Sequence, residues 1–211
     1  MEEKLYQACK DGKVEEVRKL LQNEQININR QNQNQTPFYV ACNHGYLDIV
    51  KLLLNDNRVD INKADKYGET PFYRACLNER TEIVKLLLND NRVDINKTNE
   101  YNETPFYITC LEGHIDIVKL LFKDERLDIN KTANGGWTPF YVACGNGHTE
   151  IVKLLLNDQR ISIWKKARGG KTAFDIARTN RHSEVMQLIK EIDTGISYST
   201  INYKTINKIK K

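Results

Sequence analysis

Long apolar runs are missing from this chain, and so is any strong charge of one sign through its main body. No stretch approaches the ~18–20 apolar residues that a bilayer-spanning helix requires. The opening Met1-Glu2-Glu3-Lys4 has no apolar segment of the kind that marks a secretory signal. The formal net charge is +4, of which +3 falls in residues 193–211, leaving about +1 for residues 1–192. A body so close to neutral has no long-range field to steer it onto nucleic acid or anionic lipid. Histidine is scarce, at four residues. Metal sites need clustered ligands, whereas the histidines and cysteines here recur at separate places. Gly135-Gly136 and Gly169-Gly170 are not phosphate loops leading into a helix. The carboxylates are periodic, so no pair stands out for acid-base work, and no Ser/His/Asp or Cys/His set is present. The expectation is a protein that is not an enzyme, with no catalytic residue, cofactor or metal.

What the chain has instead is repetition. Thr36, Thr70, Thr104, Thr138 and Thr172 follow one another at intervals of 34 residues. Four of them open Thr-Pro-Phe-Tyr. Behind each comes a second phrase, such as Asp48-Ile49-Val50-Lys51-Leu52-Leu53-Leu54 or Glu150-Ile151-Val152-Lys153-Leu154-Leu155-Leu156. A fixed period of this length is the signature of stacked units in which each contacts its neighbours, rather than of a single globular core. Cys9, Cys42, Cys76, Cys110 and Cys144 occupy one place in successive units. Stacked helices lie ~8–10 Å apart, and a disulfide needs Cα atoms within about 7 Å. The thiols are therefore read as small buried spacers, which fits a reduced, intracellular and most simply cytoplasmic location.

Local signals place helices on these phrases. Threonine is a good N-cap, and proline directly after it suits the first helical position. The second phrase puts Val50, Leu53 and Leu54 on one helical stripe, widened by Ile49 and Leu52. Gly45, Gly113 and Gly147 mark a turn between the two helices. Two residues before each threonine stand Asn34, Gly68, Asn102, Gly136 and Gly170. Only residues that tolerate positive φ appear there. Cys9 and Cys42 are 33 apart because the connection between Asn29 and Thr36 is one residue shorter than the later ones.

Gly68-Glu69-Thr70-Pro71 and Gly147-His148-Thr149-Glu150-Ile151-Val152 resemble the ankyrin repeat, over roughly residues 2–192. Tetratricopeptide repeats have a similar length but a different signature. The resemblance implies an all-α repeat solenoid of paired antiparallel helices with hairpin fingers. The units are read as about 2–35, 36–69, 70–103, 104–137, 138–171 and 172–192, followed by a basic tail at 193–211. The runs at 58–62, 92–96 and 126–130 suit the family's fingers. Two departures stand out: tyrosine replaces the usual histidine at 39, 73, 107 and 141, and Glu79 and Arg181 occupy inter-helix glycine sites. His114, His148 and His182 match a position the family uses structurally.

The resemblance also implies a protein-binding scaffold whose partner lies on the concave surface of fingers and first helices. Residues that break the repeat there are the candidates. Tyr67, Tyr101 and Trp137 are aromatic anchors, Arg74 is the odd member of a first-helix row, and Lys66, Glu69, Glu100 and Glu103 lie beside them. Tyr, Trp and Arg are the types enriched at interaction hot spots. The alternative is an adaptor or substrate-recognition subunit of an enzyme complex, with the tail making a second contact. The expected partner is a protein, with no small-molecule substrate, the chain a monomer, and nucleic acid or anionic membrane touched only through the tail's four lysines.

Overall fold

A computed structural model describes residues 1–193. The tail expected from 193 onward lies, beyond Asp193, outside the described residues. Twelve α-helices lie among those described: α1 Glu2–Lys10, α2 Val14–Leu21, α3 Pro37–His44, α4 Leu47–Leu54, α5 Pro71–Leu77, α6 Thr81–Leu88, α7 Pro105–Glu112, α8 Ile115–Leu121, α9 Pro139–Gly145, α10 Thr149–Leu156, α11 Ala173–Thr179 and α12 Ser183–Asp193. They form two compact units. The first is Met1–Thr109 with Asp116–Leu127; the second is Cys110–Ile115 with, among the described residues, 128–193.

In the first unit α1, α3 and α5 pack side by side, α2, α4 and α6 pack behind them, and each first helix packs on its own second helix. In the second unit α9 packs on α11 and α10 on α12, with the same pairing within each couple. The sequence dictates this arrangement residue by residue. Thr36, Thr70, Thr104 and Thr138 accept from the backbone N–H three residues on, at 3.0 Å each. Each such cap is worth about 1 kcal/mol. Thr172 adds a reciprocal bond with Asp175. Phe38, Phe72 and Phe106 on the first helices and Leu53, Leu87 and Leu121 on the second are buried, each contributing roughly 1.5–3 kcal/mol of transfer free energy.

The turn between helices carries a left-handed residue at Gly12, Gly45, Glu79, Gly113, Gly147 and Arg181. Glycine is absent at two of these, and there the backbone is strained. The finger turns are left-handed at Asn34, Gly68, Asn102, Gly136 and Gly170, as the Gly/Asn restriction requires. Four fingers close through a bond from the first residue to the fifth, for instance Asp65 N to Glu69 O at 3.0 Å. The finger that is one residue shorter closes differently. Asn32 and Gln35 exchange both backbone bonds, and Gln33 and Asn34 are both left-handed, with φ of 51° and 65°. Two positive φ values between paired residues make a type I′ turn. The missing residue has changed the turn type.

The runs expected in the fingers, such as Arg58–Asn62, form turns instead, and the hairpins begin only at Asp65. Val59 and Ile61 are buried, so the alternation is real, but side chains take the backbone bonds that a strand partner would have taken. The Asn29 amide donates to the Arg58 carbonyl at 2.7 Å and its oxygen accepts from Asp60 N at 2.8 Å. Asn62 does the same with Arg92 and Asp94, and Asn130 with Arg160 and Ser162. Each asparagine thereby clasps the next copy. Arg58, Arg92, Arg126 and Arg160 each hold the aspartate two residues earlier through paired contacts, and the guanidinium keeps Asp56, Asp90, Asp124 and Asp158 below the usual carboxylate range.

Candidate functional site

In the first unit the fingers at 65–69 and 99–103 lie against each other: Glu100 N donates to the Tyr67 carbonyl at 2.9 Å. Their sequences fold into turns because Asp65 and Asn99 each accept two backbone N–H bonds within their own finger, from Tyr67 and Glu69 and from Tyr101 and Glu103. That conformation turns the side chains of Tyr67 and Tyr101 outward, where they are 44% and 53% exposed. Lys66 Nζ sits 4.7 Å from the centroid of the Tyr67 ring. The Glu100 carboxylate bonds the Tyr101 phenol and raises its pKa.

The carboxylates of Glu69 and Glu103 are less available. Glu69 pairs with Arg74 Nη1 at 3.2 Å, and burial pushes its pKa up against the lowering effect of Arg74. Arg74 also donates from Nε to Asn43 Oδ1 at 2.9 Å, so it bridges to the preceding copy as well as to its own finger. Glu103 Oε2 accepts from the Tyr73 phenol at 3.0 Å and from Asn99 Nδ2 at 2.9 Å. Tyr39 donates likewise to Asp65 Oδ2 at 2.9 Å. Burial, and then the neighbouring carboxylate, pushes the Tyr73 phenol well above its ordinary value. Of the four tyrosines that replace the family's histidine, Tyr39 and Tyr73 thus each reach into the next finger.

Trp137 belongs to the second unit, two places further along its finger than Tyr67 and Tyr101 are in theirs. It is 44% exposed and lies nearly parallel to Tyr141, with centroids 6.4 Å apart and 3° between planes. Gly135 beside it holds φ at 86°, a left-handed conformation that favours glycine, and a Cβ there would stand 3.3 Å from the indole.

The tethers between copies are side chains that sequence reasoning left aside, apart from His148 and His182, whose position it read as structural. Asn78 Nδ2 donates to Asn43 Oδ1 at 2.9 Å, and Asn146 and Asn180 donate to the carbonyls of Leu111 and Gly145 at 2.9 and 2.6 Å. Arg80 Nε, His148 Nε2 and His182 Nε2 reach the carbonyls of Asn43, Leu111 and Gly145. A carbonyl only accepts, so Nε2 carries the proton in both histidines. These bonds satisfy carbonyls that a helix C-terminus leaves open. Their periodicity was visible, but the partners lie 35–37 residues away.

All five thiols are buried. Burial pushes Cys9 up to about 12 and Cys42, Cys76 and Cys144 well above the ordinary thiol value. Among the described residues no group of three or more His, Cys, Asp or Glu is placed to hold a metal ion, and no helix is long and apolar enough to cross a membrane.

A family profile described as "Ankyrin repeats (3 copies)" matches residues 57–134 and 125–201, and another, "Ankyrin repeats (many copies)", matches residues 20–72. Among solved structures the chain is similar to EF0377, an ankyrin repeat protein, at 28% identity and a TM-score of 0.83, covering 90% of this chain and 98% of that one. No curated protein matches the sequence.

Proposed function

This chain belongs to the ankyrin-repeat family, whose repeats are in general protein–protein interaction modules, and we propose that it is a non-enzymatic scaffold that captures a protein on its fingers and first helices. The observation that carries this reading is the adjacent pair Tyr67 and Tyr101, 44% and 53% exposed at equivalent places in two touching fingers. Solvent exposure of a large aromatic costs hydrophobic stabilisation that a buried position would retain, so a pair kept outward on a rigid turn is set for a partner. Tyrosine supplies large contact area with few rotatable bonds. Lys66 and Glu100 beside it offer charges of both signs, whereas Arg74, Glu69 and Glu103 hold the platform in shape through their bonds to one another's neighbours. Trp137, stacked on Tyr141, is a second rigid anchor within its own unit.

The experiment is affinity capture followed by binding measurements on the partner recovered. The double variant Tyr67→Ala, Tyr101→Ala should keep the wild-type helical circular dichroism and weaken capture by more than ~2 kcal/mol. Unchanged affinity in a folded variant discards this surface, and Trp137→Ala then tests the other anchor.

A further inference from the structure

The last finger breaks the repeat in a different way from the others. Residues 160–171 read Arg-Ile-Ser-Ile-Trp-Lys-Lys-Ala-Arg-Gly-Gly-Lys, five cations with no acidic residue. The preceding copy, 126–137, has Arg126 and Lys131 balanced in part by Asp128. Relative to that copy, Ser162 replaces the aspartate, Trp164 replaces the clasping Asn130, and Lys166, Arg168 and Lys171 are new cations. The wider chain is polarised in the same sense. Residues 160–211 hold twelve Lys and Arg against four Asp and Glu, a formal +8, while residues 1–159 hold twenty against twenty-four, a formal −4.

The geometry leaves this finger open. Trp164 is 48% exposed, and unlike Trp137 it stacks on no ring among the described residues. Lys165, Lys166, Arg168 and Lys171, close behind it in the sequence, are exposed, and the first three make no ion pair among the described residues. Lys171 lies near Asp175, whose carboxyl feels its charge. A Cβ built on Gly169 or Gly170 would have nothing within 4 Å, so the tip is convex. The finger is nonetheless held in place: Ala167 N bonds Lys171 O at 2.9 Å, and Arg168 N bonds Gly135 O at 2.7 Å.

We infer that this finger rests on an anionic phospholipid surface, with Trp164 seated at the headgroup level and Lys165, Lys166, Arg168 and Lys171 facing the lipid charge. Interfacial tryptophan flanked by lysine and arginine is the chemistry of such contacts. A convex tip fits a broad, fluid surface better than it fits a peptide, which needs a pocket that excludes water around its anchor. Single-stranded nucleic acid is bound along grooves with several stacking aromatics in succession, and this finger has one. The sequence beyond residue 193 points the same way, because its four lysines are interspersed with Ile196, Ile201, Ile206 and Ile209, and no acidic residue follows Asp193.

The test is cosedimentation of the full chain with phosphatidylcholine vesicles, with and without phosphatidylserine, read alongside tryptophan emission in a Trp137→Phe background that leaves Trp164 as the single indole. The wild type should bind only the phosphatidylserine vesicles, shift its emission to the blue, and release as salt rises to physiological strength. The variant with Lys165, Lys166, Arg168 and Lys171 all changed to Ser touches only exposed side chains and should keep its circular dichroism. It should bind weaker by about five-fold per charge removed. Trp164→Asn, which restores the residue type of the other copies, should weaken binding without changing the salt dependence. Vesicle binding by the quadruple variant equal to wild type assigns the contact to the tail and overturns the proposal. Binding to a single-stranded oligonucleotide or to polyglutamate, with the vesicles ignored, overturns it equally, as does the absence of vesicle binding.

Discussion

The side-chain amide of Asn62 closes on the backbone of Arg92, donating to its carbonyl at 2.7 Å, while its own oxygen takes the N–H of Asp94 at 3.0 Å. One side chain thus does for two consecutive copies what a pair of ladder bonds does between strands. Asn62→Ala removes both bonds and should lower stability by about 1–3 kcal/mol, at about 0.5–1.5 kcal/mol for each. Urea denaturation followed by circular dichroism checks this, and a loss under about 0.3 kcal/mol would show that water replaces the clasp without cost.

Two substitutions at one kind of turn should act in opposite directions. Arg181 holds φ at 64° and is exposed, so Arg181→Gly should stabilise by about 1 kcal/mol through relief of left-handed strain. Gly147, at φ 72°, would put a new Cβ 2.5 Å from His182 Nδ1. Gly147→Ala should therefore destabilise by more than about 1 kcal/mol, since it adds backbone strain and displaces a ring bonded to the Gly145 carbonyl. Thermal melts of the two variants beside the wild type give the comparison.

Acid should loosen the fold in a defined range. Asp56, Asp90, Asp124 and Asp158 are held below their ordinary values chiefly by side-chain bonds from the arginines two residues on. A carboxylate depressed in the folded state contributes stability that is fully present above its unfolded value of about 3.9 and is lost as pH falls through the folded value. Glu69, raised by burial, acts in the contrary sense, while Asp175, lowered by its bonds from Thr172, acts with the four. The denaturation midpoint should be flat from about pH 7 to about pH 5 and fall below about pH 4. Replacing the four aspartates by Asn should flatten that fall.

The thiols should be silent until the protein opens. With burial pushing Cys9 to about 12 and Cys42, Cys76 and Cys144 well above the ordinary range, almost no thiolate exists near neutral pH to attack a reagent. Labelling with a chromogenic disulfide should show no fast phase in buffer and release five equivalents in denaturant, one for each cysteine. A rapid first equivalent would contradict the burial assigned here.

Leu87, fully buried on α6, tests the core. Leu87→Ala should cost roughly 2–5 kcal/mol, the lost transfer energy plus that of the cavity. Urea denaturation measures it, and a loss below about 0.5 kcal/mol would place this side chain outside any packed interior.

Much of this was legible because the relevant physics is local. Thr-Pro marked helix starts at Pro37, Pro71, Pro105 and Pro139, since the cap acts within three residues. The Gly/Asn restriction foretold left-handed backbone at Asn34, Gly68 and Asn102, since only a steric limit selects those types. What stayed hidden depends on partners about thirty residues away. Nothing in Tyr73 alone tells that its phenol ends on Glu103, nor in Asn62 that it clasps Arg92. The alternation at Arg58–Asn62 suits a finger because period two signals buried and exposed sides, but it does not show which groups satisfy the backbone. Of the candidate residues, Tyr67, Tyr101 and Trp137 are the ones left open, while Arg74, Glu69 and Glu103 are engaged within the fold. Sequence distinguishes residue types; it does not reveal whether a charge is already answered by a neighbour.

Trp164 stands where Asn62, Asn96 and Asn130 hold the following copy. A thirty-four-residue cassette duplicated upstream of it would arrive with its own amide hook and find a backbone to grip. One spliced in behind the indole would find no hook waiting. The copy that does follow the indole is held by other means, Asn180 and His182 on the Gly145 carbonyl and the packing of α11 and α12 on α9 and α10.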